Sequence, residues 1–107
     1  MMARGPGEFT KVTSVDALLP GRSMMARVGS THVAVFNVDG VFHALDGLCP
    51  HQAGPLGRGR LTGCIVTCPV HGLRFDVRTG AMPGASGGLQ LKTFEVRVEG
   101  GDVLVAV

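Results

Sequence analysis

"CPHQAG" at Cys49–Gly54 and "CPVHG" at Cys68–Gly72 repeat one pattern: a cysteine, a proline, a histidine one or two residues further on, then a glycine. Together they spell C-x-H-x16-C-x2-H. Two thiolates and two imidazoles form a donor set suited to zinc or to an iron–sulfur cluster. Structural zinc sites commonly open with two ligands separated by two to four residues. Here each loop brings one cysteine and one histidine, and the first pair is separated by a single residue. Residues i and i+2 of an extended chain point the same way, so each loop delivers one sulfur and one nitrogen. Two such loops, if they face each other across a hairpin, could clamp a binuclear cluster, with both cysteines on one iron and both histidines on the other.

Moving outward, about residues 44–80 hold all three cysteines, two of the four histidines and three of the six prolines. With hairpin-like "GCIVTC" and "LRFDVRTG" inside it, this section reads as a turn-rich unit inserted in a β scaffold. The scaffold shows in short alternating segments: "FTKVTSV" (Phe9–Val15), "MMARV" (Met24–Val28), "HVAVFNV" (His32–Val38), "VFHALD" (Val41–Asp46), "KTFEVRV" (Lys92–Val98) and "DVLVAV" (Asp102–Val107). Phe94, Val96 and Val98 share one face of the fifth of these. Asp39-Gly40 and "EGGD" (Glu99–Asp102) are hairpin turns. "VDALLP" (Val15–Pro20) has room for one turn of helix, and no segment sustains a 3.6-residue period. The expectation is one antiparallel all-β domain over 9–107, a sandwich or barrel of nine or ten short strands, after a Gly/Pro-bearing arm at 1–8.

Composition narrows the partners. Net charge is only +2, with no run of Lys/Arg and no aromatic platform, which argues against nucleic acid. No apolar stretch approaches the ~18 residues that span a bilayer. "MMARGPGEF" lacks the apolar segment of a secretory signal. Three cysteines are an odd number for a disulfide framework, so the expected compartment is the cytoplasm. Glycine, at 17 of 107, is more than twice as frequent as usual, which implies tight turns or backbone approaching something other than protein.

"ALDGLCPHQAGPL", "CPVHGLRFDVRTG" and "FEVRVEGGDVLV" resemble the corresponding stretches of soluble Rieske ferredoxins, over nearly the whole chain after the arm. The resemblance implies a Rieske-like antiparallel β-sandwich or barrel with an inserted cluster-binding subdomain and one 2Fe-2S cluster of Rieske type, in which two His replace two Cys on one iron. Carried over by position, Cys49 and Cys68 ligate the inner iron, and His51 and His71 the outer iron near the surface. Gly47, Gly54 and Gly72 then admit backbone close to the sulfurs, Pro50 and Pro69 stiffen the loops, and Pro83 sits in a loop that covers the cluster. Respiratory Rieske proteins carry an extra loop cysteine pair where this chain has Gly54 and Val70. They also carry a Ser and a Tyr where it has Leu73 and Phe75.

The family function implied is a one-electron carrier between an NAD(P)H-dependent reductase and a terminal oxygenase, without catalytic residues of its own. A Rieske small subunit of an assimilatory nitrite reductase-like complex and a structural zinc-binding module are the alternatives. Cys64 matches no ligand position and reads as a small core residue in a strand. His32 and His43 read as structural or surface residues. Arg58, Arg60, Arg74 and Arg78 flank the ligand loops and would form a basic rim for an acidic redox partner.

Overall fold

The computed structural model describes residues 8–48, 54–70, 72–84 and 90–107. Among them are nine strands: β1 (Phe9–Ser14), β2 (Ser23–Val28), β3 (Thr31–Val38), β4 (Val41–Asp46), β5 (Arg60–Thr62), β6 (Ile65–Thr67), β7 (Arg74–Asp76), β8 (Thr93–Glu99) and β9 (Asp102–Ala106). The expected all-β antiparallel fold is therefore what forms. Six strands pair in the order β1-β9-β8-β4-β3-β2, and β5-β6-β7 make a second, smaller sheet. The edge strands β1 and β2 of the large sheet approach each other, so it curls into a nearly closed barrel.

Local chemistry sets the hairpins. Asp39 and Gly40 both adopt positive φ (51° and 91°), the pairing that a two-residue turn needs to match the twist of β3 and β4. Gly100 and Gly101 join β8 to β9 in the same way.

β3 is the wall shared by two cores. Val33 and Val35 face the barrel interior with Val28, Ala44, Val103 and Val105. Ala34 and Phe36 face the other way, into a core with Leu45, Leu56, Val66, Phe75, Val77, Leu91 and Cys68. Both faces of the strand are covered, which explains why "HVAVFNV" reads as a nearly continuous apolar run. Phe36 is fully enclosed, and burial of such a side chain contributes about 1.5–3 kcal/mol. This second core is what docks the small sheet on the barrel, because its inward row Leu61–Val66–Phe75 belongs to it.

Two local expectations change. Val15–Pro20 forms an isolated turn, not a helical one: Ala17 N–H bonds the Ser14 carbonyl, while the Leu18 carbonyl accepts from the buried Asn37 side chain. A 3-10 turn forms instead at Leu56–Arg58. Val98 does not share the burial of Phe94 and Val96. It is 49% exposed because β4 pairs with β8 only at Ala44–Phe94 and Leu45–Thr93, which leaves the end of β8 open on that side.

Candidate metal centre

The first motif loop leaves β4 and returns to the same place. Gly47 N–H donates to the His32 carbonyl (2.8 Å), Leu56 N–H donates to the Gly47 carbonyl (2.9 Å), and Leu48 pairs with Pro55. Gly47 is buried, and a Cβ there would sit 2.9 Å from the β3 backbone at His32 and Val33. Its glycine is needed for packing on β3, a nearer cause than the approach to sulfur expected for it.

The second loop is a tight turn between β6 and β7. Cys68 N–H donates to the Leu73 carbonyl (2.7 Å), and Gly72 N–H donates to the Cys68 carbonyl (3.1 Å). Gly72 takes φ +73°, which favours glycine.

The two loops meet. A Cβ on Gly54, the last residue of the first motif, would lie 3.0 Å from Cys68 Sγ and 2.6 Å from Val70 Cγ2. Cys68 is 1% exposed, its thiol is free, and it belongs to the apolar second core. A soft sulfur donor, buried and facing bare backbone from the opposite loop, fits a thiolate-bound cluster kept from water on its inner side. Cys49, His51 and His71 lie outside the described residues. Among the described residues no group of three or more His, Cys, Asp or Glu gathers at one point.

Cys64 stands apart. It occupies the turn before β6, not a strand, and packs half-buried against the second core while its carbonyl accepts from Val77 N–H. β6 separates it from Cys68, and four extended residues span about 13 Å, beyond the reach of a disulfide. His32 is exposed and opposite Arg27. His43 is half-buried opposite Phe36. Burial holds its pKa below the ordinary imidazole value, the Arg78 charge adds to this, and Asp76 partly opposes it.

The four arginines divide. Arg78 is bound to Asp76 through two side-chain hydrogen bonds (Nε–Oδ1 3.1 Å, Nη2–Oδ2 2.8 Å), and these, with a third from its backbone N–H, hold the carboxyl below its usual range. Arg60, Thr67 and Arg74 form one row across β5, β6 and β7, immediately before Cys68. Both arginines in this row are exposed, about 10 Å apart by strand spacing, and neither they nor Arg58 have a carboxylate partner among the described residues. Pro83 is exposed in a turn beyond the Ala81–Gln90 bridge.

Sequence reasoning missed the part played by β2. Ser23 Oγ donates to the Gly57 carbonyl (2.9 Å) and Gly57 N–H donates to Met25 Sδ (3.2 Å), so β2 grips the 3-10 turn that follows the first loop. Strand alternation carries no signal for such a contact.

Comparison with known proteins agrees with this geometry. Residues 8–95 match the family described as Rieske [2Fe-2S] domain. The biphenyl dioxygenase ferredoxin subunit of Pseudomonas sp. (strain KKS102) is 41% identical over 98 residues, covering 91% of this chain and 90% of that protein. The ferredoxin of carbazole 1,9a-dioxygenase from Nocardioides aromaticivorans IC177 superposes with a TM-score of 0.84 at 32% identity, over 92% of this chain and 96% of that one. A chain in a complex of reduced oxygenase and oxidized ferredoxin of carbazole 1,9a-dioxygenase superposes with a TM-score of 0.83 at 35% identity, over 92% of each chain. Among the described residues no helix is long and apolar enough to cross a membrane. With two paired loops meeting at a buried thiol on a shared β wall, a family match over residues 8–95 and relatives aligned along nine-tenths of its length, the chain belongs to the Rieske [2Fe-2S] family.

Proposed function

We propose that this chain is a one-electron carrier that takes electrons from an NAD(P)H-dependent reductase and passes them to a terminal oxygenase. Cys49 and Cys68 would hold one iron of a single Rieske 2Fe-2S cluster, and His51 and His71 would hold the other. The observation that carries this reading is the contact of Gly54 with Cys68, because it joins two loops whose donors match a Rieske set. Relatives named as ferredoxin components of oxygenase systems support the choice of partner. The cluster, when bound, supplies one reversible electron. The chain's own residues bury the Cys68 sulfur, fix its turn through the Leu73 carbonyl and present the second loop at the surface, where Pro69 and Val70 are exposed. The working unit is the domain 9–107, with its site in about 44–80, and we place it in the cytoplasm, where a free thiol such as Cys64 persists.

The purified chain should be red-brown, with iron and acid-labile sulfide in equal amounts, and should restore NADH-driven turnover when added to a reductase and a terminal oxygenase. Zinc in place of iron, or iron without sulfide, overturns the reading.

Arg60 and Arg74 supply the basic rim that steers an acidic partner toward the second loop. Arg60→Glu with Arg74→Glu should slow electron transfer about tenfold at low salt, with the deficit closing as salt screens the field. Arg78→Gln should cost less, because the Arg78 charge already faces Asp76. A rate indifferent to both charge and salt removes the rim from the mechanism.

A further inference from the structure

Met25 touches both ends of the segment that carries Cys49 and His51. At the far end, its Sδ accepts from Gly57 N–H at 3.2 Å. At the near end, its Cε would lie 2.7 Å from a Cβ on Gly47. Gly57 is buried, and a Cβ there would collide with the Met24 carbonyl, so the 3-10 turn presses bare backbone onto β2. Opposite Met25 on β3 stands Ala34, a small residue that leaves room for the thioether over the second core. Thioether sulfur is a weak acceptor, but a buried amide without a partner is strongly disfavoured. No backbone carbonyl among the described residues takes the Gly57 proton.

We propose that Met25 is a positioning residue for the first ligand loop: its thioether sets the separation of Gly47 from Gly57 and so the aim of the donors between them. This rests on the reading of Cys49 and His51 as ligands. Met25 acts through Gly57, not on iron. Leucine at this position fills nearly the same volume but accepts nothing, so it isolates the hydrogen bond from the packing.

The test compares the holoprotein with its Met25→Leu and Met24→Leu variants, since Met24 packs into the barrel core instead. Iron stripping by a chelator, followed by bleaching, should be about tenfold faster in Met25→Leu, as expected for loss of one modest hydrogen bond to a buried donor. The electron paramagnetic resonance g-values of the reduced variant should move, whereas those of Met24→Leu should stay native. Both swaps conserve packing, so the denaturant midpoint of Met25→Leu should fall below that of Met24→Leu only by the cost of the one hydrogen bond it loses. Exchange of the Gly57 amide should also quicken about tenfold in Met25→Leu alone. Native stripping rates, g-values and Gly57 exchange in Met25→Leu overturn the proposal. A native chain that assembles no cluster overturns the ligand reading instead, and Gly57 exchange then decides the role of Met25 by itself.

Discussion

Cys68→Ser should give a colourless chain that retains neither iron nor sulfide, while Cys64→Ser should keep the native visible spectrum. The two substitutions make the same chemical change four residues apart, so the contrast reads position, not chemistry. A hydroxyl is a hard, poorly ionised donor and a weak substitute for thiolate on iron. At Cys68 it would also sit 1% exposed among Leu56, Val66 and Phe75, an apolar setting that offers no other metal-donor cluster among the described residues. At Cys64 the side chain is half-buried at the edge of the same core, so the exchange should cost about 1 kcal/mol of stability, within the range for an ordinary substitution. Metal and sulfide analysis of the two purified variants checks this. A coloured Cys68→Ser protein, or a colourless Cys64→Ser protein, would show that the third cysteine and the ligand have been exchanged.

Leu73→Ser with Phe75→Tyr should raise the reduction potential. Reduction adds negative charge to the sulfurs, so hydroxyl donors stabilise the reduced state and their absence lowers the potential. Leu73 follows the second loop with its carbonyl bonded to Cys68 N–H, and Phe75 lies fully buried in the core that holds Cys68. Neither side chain has a proton to donate. A hydrogen bond to a charged group contributes about 1.5–3 kcal/mol, and a one-electron couple moves ~59 mV per ~1.4 kcal/mol, so each donor is worth roughly 60–130 mV. The native chain should therefore lie toward the low end of the Rieske span, around −150 mV, within reach of a reductase fed by NADH. The tyrosine also tests itself, since a hydroxyl at the Phe75 position enters a dry core and stays folded only if it finds an acceptor. Protein-film voltammetry on the native and double-variant holoproteins measures the shift. A native potential well above zero, or an intact double variant with no upward shift, overturns the argument.

What could be read from the chain alone was local. The strands at Phe9–Ser14 and Thr93–Glu99 and the left-handed turn at Asp39-Gly40 depend on neighbours a few residues away, so the sequence by itself determined them. The same holds for the paired C-P-H-G phrases, whose donor types and spacing name a class of metal chemistry before any fold is known. The tertiary structure decided matters of register and coverage. Whether β3 has one buried face or two depends on a small sheet that arrives from Arg60–Asp76. Gly47 must be glycine because β3 passes behind it. Arg60 and Arg74 line up across three strands because pairing placed them in one row, whereas the loss of Arg78 to Asp76 is a local contact between residues two apart in sequence. The hold of β2 on the first loop spans 34 residues from Ser23 and 32 from Met25. Contacts of that separation leave no periodic trace in the chain, since they arise only when apolar burial has brought the two cores onto opposite faces of one strand.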